Sequence, residues 1–336
     1  MQGLNKIAFP ALIFILASAC TIRSRCQAYD NSEPRVFTYA PKNTYSRALD
    51  SRGNKIFIGN SDGLIYKLNV RNGKSRPISR QALPELRDIA ITGCRNVVAM
   101  QSADTSRMIR LRGRKEFVSA VSGRPVFLDG MDILPSGTGF LMGDPVDGYF
   151  SLYKTHDAGK TWEEIQPKLK ADQGEAGFAA SGSTVQCLDD STYIFVSGGM
   201  RSRFFKTTNA GRSWTSTDLP FKRAEGSGAF SVCFLNALQG VVVGGDYMDP
   251  ASQAQTSCYT LDGGKTWIPS TIPALGYRSC VKAFEGNLFA CGTTGIDKSE
   301  DGGITWGRYW GGNFIALIVV KNKIYATMPE GKIMEL

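Results

Sequence analysis

The chain has 336 residues, 42% of them hydrophobic, with 39 Lys and Arg against 30 Asp and Glu, a net charge of +9. That length buries a large core and is long for one domain unless the domain is a barrel, a repeat or a propeller. The basic excess does not point to nucleic acid: its densest cluster, "RMIRLRGRK" at 107–115, has no aromatic residue interleaved, and the first residues are read as an export signal.

That signal is the first element. Lys6 precedes an apolar run, 7–19, broken by Pro10 and Ser18 and ending in "ASAC". The run is too short to span a bilayer. Ala17-x-Ala19 suits signal-peptide cleavage, and Cys20 directly after a small residue suits lipid attachment, the reading favoured here. Residues 1–19 are therefore expected to be a signal peptide, 20–34 a linker and 35–336 one folded domain. The expected location is the periplasm or, through lipid on Cys20, the outer membrane. No later run is long and apolar enough to cross a membrane.

From 35 onward the chain reads as strands. "RVFTYA" (35–40) comes first and stands alone. Seven hairpins follow, each a partly apolar strand A, a turn and a β-rich strand B ending near a small residue. They are "RALDSRGNKIFIGN" (47–60), "DIAITGCRNVVAMQ" (88–101), "MDILPSGTGFLMGD" (131–144), "TVQCLDDSTYIFVSG" (184–198), "SVCFLNALQGVVVGG" (231–245), "CVKAFEGNLFACG" (280–292) and "LIVVKNKIYATM" (317–328). A strand C follows each, from "LIYKLNV" (64–70) to "KIMEL" (332–336). No segment carries a helical period over a useful length. Alternating Arg110, Arg112 and Arg114 put one face of a strand in water, as expected of a solvated edge strand.

Four of the C strands run into one repeated string: "THDAGKTW" at 155, "TTNAGRSW" at 207, "TLDGGKTW" at 260 and "SEDGGITW" at 299. Asp157, Asn209, Asp262 and Asp301 are expected to accept bonds from the turn's own amides. The glycines supply positive φ. Trp162, Trp214, Trp267 and Trp306 are expected to plug the space between layers and to open strand D. Their intervals of 52, 53 and 39 residues fall in the range of propeller blades. In the first two blades the string is degenerate. The last blade has only three strands, and "RVFTYA" supplies the fourth. The fold expected is all-β: a seven-bladed β-propeller of four-stranded antiparallel blades, its ring closed by an N-terminal strand, with six blades as the alternative. Closure removes two exposed sheet edges.

The four turns resemble Asp-box, or BNR, repeats of sialidase-like propellers. The stretch from about 125 to 310 resembles bacterial propellers grouped with the photosystem II stability/assembly factors, on "DGM" (129–131), "MGDP" (142–145), "FAASG" (178–182), "GGDY" (244–247) and "GYRSC" (276–280). The resemblance implies a seven-bladed propeller and little about chemistry. Some relatives carry an oxidoreductase label.

In a propeller the A–B and C–D turns share one face and the B–C loops and D–A connections the other. The repeated turns are thus structural, and unusual polar residues gather opposite them. Asp144, Arg201, Arg203, Asp246 and Tyr247 follow B strands; Asp129, Glu175, Tyr277 and Arg278 precede or begin A strands. A channel mouth ringed by such groups is expected to bind a protein or a small acidic or glycan ligand. Arg278 is expected to offer its forked donor to an acidic group, with Asp246 orienting it. Salt bridges joining blades are the competing reading. A glycoside hydrolase would use two of Asp129, Asp144, Glu175 and Asp246 about 5–9 Å apart. The Arg-Ile-Pro string of a sialidase is absent, and no catalytic residue is assigned.

"GTGFLMG" (137–143) lies in a hairpin with no helix behind it, which disfavours a nicotinamide or flavin site. His156, the one histidine, lies in a repeated turn, which argues against His-based metal chemistry. No metal or cofactor is expected, although a quinone stays open. Cys187, Cys233, Cys280 and Cys291 read as buried thiols. Cys280 and Cys291 flank a turn and are placed to face each other, where an oxidising compartment permits a disulfide. The chain is expected to be a monomer that binds no nucleic acid.

Overall fold

Short strands joined by glycine-rich turns build seven antiparallel sheets, and no helix occurs among the described residues. The computed structural model describes residues 34–80, 84–93, 96–103 and 105–336. The expected signal peptide, Cys20 and all but the last linker residue lie outside them. β1 (Val36–Thr38) comes first. Blade 1 is β2 (Ser46–Arg52), β3 (Lys55–Asn60), β4 (Ile65–Asn69) and β5 (Ser75–Pro77). Blade 2 is β6 (Leu86–Gly93), β7 (Asn96–Gln101), β8 (Arg107–Arg112) and β9 (Lys115–Ala120). Blade 3 is β10 (Leu128–Ile133), β11 (Gly139–Val146), β12 (Tyr149–Thr155) and β13 (Glu163–Glu164). A two-residue strand, β14 (Glu175–Ala176), precedes blade 4, which is β15 (Val185–Cys187) and β16 (Tyr193–Val196), then, after β17 (Gly198–Gly199), β18 (Arg203–Thr207) and β19 (Thr215–Asp218). Blade 5 is β20 (Ser227–Phe234), β21 (Gly240–Asp246), β22 (Ser257–Thr260) and β23 (Ile268–Pro269). Blade 6 is β24 (Cys280–Phe284), β25 (Asn287–Gly292), β26 (Gly295–Ser299) and β27 (Gly307–Trp310). β28 (Leu317–Val320), β29 (Lys323–Met328) and β30 (Lys332–Glu335) make blade 7, and β1 completes it. β14 pairs with β17, and β17 with β20, so the sheet of blade 5 carries two extra short strands.

The expected closure is present. Val36, Phe37 and Thr38 pair with Met334, Ile333 and Lys332. Phe37 and Tyr39 are buried with residues of blades 1 and 7. Period-two alternation gives each blade two apolar faces, and each face packs on the next blade. Seven apolar clusters result, one at every junction between blades.

Around the channel, side chains fasten each blade to its neighbour. Asp50 accepts from Ile91 N at 2.6 Å, Asp88 from Met131 N at 2.7 Å and Asp132 from Cys187 N at 2.8 Å. Gln186 accepts from Phe234 N at 3.0 Å, and Ser231 Oγ from Val281 N at 2.9 Å. Ser279 Oγ donates to Ile315 O at 2.7 Å, and Thr327 Oγ1 to Ser46 O at 2.9 Å. These bonds cross all seven junctions. For the first three, an aspartate inside an apolar strand A is the visible trace in the sequence.

The four repeated turns are built alike. In blade 5, Asp262 Oδ1 accepts from Lys265 N and Thr266 N at 2.9 and 3.0 Å, and Thr266 Oγ1 donates to its other oxygen at 2.6 Å. Thr260 Oγ1 accepts from Gly264 N at 3.0 Å, and Gly264 stands at φ +90°. Strand D begins one residue past each tryptophan. Each tryptophan packs on the preceding blade, as Trp267 does on Phe204 at 5.1 Å between ring centroids. Trp306 is 3% exposed, whereas Trp162, Trp214 and Trp267 are half-buried, less enclosed than the expected plugs.

Two further expectations are corrected. β8, with Arg110 and Arg112, is an inner strand of blade 2; β9 is the edge. Arg110 is half-buried, its guanidinium 5.3 Å from the Phe117 ring. Cys233 is half-buried and lines the channel. Cys280 and Cys291 do face each other in β24 and β25, as free thiols.

Candidate functional site

The turns fix which face is which. Ala158 N donates to Gly137 O, Ala210 N to Ser191 O and Gly263 N to Leu238 O, at 2.8–2.9 Å. The repeated turns therefore lie beside the A–B turns, on the lower face. The nine polar and aromatic residues expected to form a site belong to segments of the upper face, mostly on blades 3 to 6.

They do not converge as one open ring. Arg278 is fully buried. Its Nε donates to Asp297 Oδ2 at 2.7 Å, its Nη1 to Tyr277 O and Thr294 Oγ1 at 2.8 Å, and its Nη2 to Leu275 O at 3.0 Å. Its partner is Asp297, not the expected Asp246. Asp297 also accepts from Leu275 N at 2.7 Å, and Arg308 Nε lies 3.4 Å away. Asp246 is held by Lys222 Nζ at 3.2 Å and by Met248 N at 3.0 Å. Partial burial pushes its carboxyl up, and these bonds outweigh it, so the group stays below the usual range.

Arg203 and the buried Glu175 form a forked pair, with Nε donating to Oε1 at 2.9 Å and Nη2 to Oε2. Ser197 Oγ adds a bond to Glu175 at 2.5 Å, and the guanidinium covers the Phe205 ring at 4.6 Å. Arg201 bridges Asp172 and Asp218, with Nε 2.8 Å from Asp218. Asp144 accepts from Gly177 N at 2.9 Å. Both oxygens of Asp129 are buried without a hydrogen-bond partner among the described residues. Burial, and then the charge of Asp144, pushes the Asp129 carboxyl well above the usual range, against the pull of Arg87.

The upper mouth is filled by residues 177–183, a run of small residues around Phe178. Arg47 of blade 1 donates to Ala179 O at 2.9 Å, and Ser181 Oγ donates to Ser279 O of blade 6 at 2.7 Å. Phe178 stacks on Phe230 of blade 5 at 4.0 Å, and a Cβ on Gly177 would lie 2.2 Å from Asp129 of blade 3. The expected open concave mouth is thus closed by chain. Below it a cavity of about 880 Å³ runs from 181–183 to the A–B turns. Lys282 enters this cavity and makes no hydrogen bond or ion pair among the described residues. Burial works against its charge, but the thiols of Cys280 and Cys233 and the carboxyls of Asp132 and Asp88 outweigh it and hold the ammonium above its usual range.

Part of what stays accessible on the upper face is apolar. Tyr277 is buried against Phe230, edge to face at 4.8 Å. Tyr247 is 52% exposed and stands edge-on over both rings of the stack, 6.4 Å from Phe178 and 6.3 Å from Phe230. Met248 is 72% exposed and Met200 51%. Their loops are joined through 224–226: Ala224 N donates to Gly199 O at 3.3 Å, and Tyr247 N to Gly226 O at 3.1 Å. Lys222 and Arg201 form the charged rim. Sequence reasoning selected Tyr247 and missed both methionines, which no local pattern distinguishes from core residues. It also missed Asp297, whose role depends on an arginine 19 positions earlier.

Fold and surface define a seven-bladed, all-β propeller with an aromatic platform on one face. Residues 150–280 match the family model described as sortilin, neurotensin receptor 3. Among solved structures, the chain is similar to a catalytically inactive virginiamycin B lyase from Staphylococcus aureus with quinupristin, at 13% identity and TM-score 0.66 over 90% of this chain and 98% of that one. It is similar to YCF48 from Cyanidioschyzon merolae, at 15% identity and TM-score 0.61 over 90% and 98%. YCF48 bound to D1 peptide aligns at 11% identity and TM-score 0.60 over 91% and 97%. At these identities the likeness is one of fold. Comparison with curated protein sequences gives no match.

Proposed function

We propose that the chain is an exported binding propeller that holds a polypeptide partner on the upper face of blades 4 and 5. One observation carries this reading. Tyr247 is half in water yet stands on the Phe178–Phe230 stack, with the exposed Met248 next to it in the chain and the exposed Met200 on a loop joined to its own through 224–226. Rigid aromatics are frequent anchors of interfaces, and methionine adapts to varied apolar partners. Lys222, Arg201 and their carboxylates supply the polar rim that such a patch needs. The family match to sortilin, described as a neurotensin receptor, and the fold likeness to YCF48 bound to D1 peptide support a polypeptide ligand. The resemblance of 125–310 to assembly factors supports a binding role over a catalytic one. So does the engagement of Glu175 and Asp246 by Arg203 and Lys222. The leader in 1–19 and Cys20 add export and a lipid anchor to this reading.

The test uses the mature chain as bait in envelope extracts, beside Tyr247→Ala and Met248→Ala. A protein retained by the native chain and lost from both variants, at unchanged melting temperature, is the expected result. Retention unchanged in both variants would remove this surface from the function.

A further inference from the structure

Blade 2 differs from the other blades at its rim. Its outermost strand, β9, runs six residues. The outermost strands of the other blades run two to four. No residue of β9 is buried, and Phe117 and Val118 are 42% and 38% exposed. Gly113, at φ +65°, and Arg114 form the two-residue turn into β9, which pairs Arg112 with Lys115. A turn of that length makes the flanking pair a hydrogen-bonded one, and the bonds then alternate along the ladder. Val118 and Ala120 therefore direct their backbone N–H and C=O groups away from β8.

The charge around this edge is mostly positive. Between 107 and 120 stand five cations, Arg107, Arg110, Arg112, Arg114 and Lys115, against Glu116. None of the five makes an ion pair among the described residues. Arg110 and Arg112 lie opposite Phe117 and Lys115, so an apolar ring and three cations share one face of the ribbon.

We propose that β9 is an open edge that takes an extended acidic segment of a partner polypeptide as a fifth strand of blade 2. Backbone groups of β9 supply the ladder, as in other cases of strand addition. Arg112, Lys115 and the Arg110–Phe117 pair read alternate side chains on the incoming strand, favouring Glu or Asp beside an apolar residue. A second copy of this chain is a poor occupant, because edge-to-edge pairing would bring ten such cations together. A bilayer offers negative charge without a strand to pair. This surface is separate from the Tyr247 platform and stands or falls independently of it.

The probe is a fluorescent peptide of four Glu-Val repeats, titrated by anisotropy against the mature chain at low and high salt, beside the same peptide with every backbone nitrogen methylated. Two variants accompany it. Val118→Pro deletes one outward N–H and leaves the β8–β9 ladder intact. Arg112→Glu/Lys115→Glu reverses two charges and keeps the backbone. The expected result is binding that weakens with salt, drops about tenfold or more in each variant and vanishes for the methylated peptide. Should Val118→Pro fail to fold, the charge reversal and the methylated peptide decide. Absence of binding by the native chain at low salt overturns the proposal, as does equal binding of the methylated peptide or by the charge-reversed variant. Two other results overturn it by naming another occupant. One is binding to phosphatidylglycerol vesicles, lost on charge reversal, in place of the peptide. The other is a dimer in sedimentation that Val118→Pro dissociates.

Discussion

Asp88 is 5% exposed, with its carboxyl accepting from Ile89 N and Met131 N. Burial pushes this group up to about 8; the two amide bonds pull it down, Asp132 pushes it further up and Lys282 pulls it down. Burial moves Asp50, Asp129 and Asp132 in the same direction. A carboxyl whose folded value lies above its unfolded value of about 4 favours the folded state below that unfolded value, and the contribution is lost as pH rises through the folded value. The melting temperature should therefore fall between about pH 4 and about pH 8 and level off above that, and Asp88→Asn should flatten part of that slope. Thermal scans across that range check it; an unchanged slope in the variant would show that Asp88 does not titrate there. The residues of these networks were only half legible in the sequence. Asp88 and Asp132 interrupt apolar strands, which marks them as engaged, but their acceptor roles depend on neighbours some 40 to 55 positions away. Arg278 was visible as an unusual residue, and its burial against Asp297 was not. The filling of the upper mouth by 177–183 was hidden as well, because small residues carry no periodicity that would aim them across a channel.

At the scale of the element, the repeated turn is the part the sequence reports best. The side-chain bonds that shape it run between residues two to four positions apart, so the string itself contains the turn. In blade 3 slight burial pushes the Asp157 carboxyl up, but bonds from Thr161, Thr155 and Lys160 more than offset it and hold it at about 2. The outer strands other than β9 were the least legible, because strands of two to four residues leave no room for a pattern. The tryptophans that open them differ in burial, and their variants should differ accordingly. Trp306→Ala, at 3% exposure, should cost about 3–5 kcal/mol of stability. Trp214 is half-buried, with its ring 5.7 Å from Phe140 and 5.4 Å from Phe195. Its alanine variant should lose less, about 2–3 kcal/mol, with partner binding unchanged. Urea unfolding of both variants checks the order, and a larger loss at Trp214 would contradict it.

The whole molecule depends on one pairing across the ends of the chain. β1 lies beside β30 and covers the edge of blade 7, and with it come Phe37 at 5% and Tyr39 at 3% exposure. Removing residues 34–40 deletes two buried aromatics, each worth about 3–5 kcal/mol, against a typical total stability of about 5–15 kcal/mol. The shortened chain should not fold cooperatively, and melting like the mature protein would contradict the closure. Seven blades and their closure were legible because hairpin, turn and count repeat. The choice of which polar groups serve the ring and which serve a partner was not, since it is made between blades.

That choice is tested most directly by comparing Arg278→Lys with Tyr247→Ala, reading partner affinity and melting temperature on both. Lysine keeps the charge of Arg278 but cannot reach Asp297, Tyr277, Thr294 and Leu275 together, and each buried acceptor left without a donor costs about 1–3 kcal/mol. Arg278→Lys should therefore lower the melting temperature and keep the affinity of the protein that folds. Tyr247→Ala should keep the melting temperature and weaken the partner about tenfold or more. The reverse pattern, a stable Arg278→Lys that no longer binds beside a Tyr247→Ala that binds normally, would place recognition inside the ring and contradict the assignment of binding to the platform.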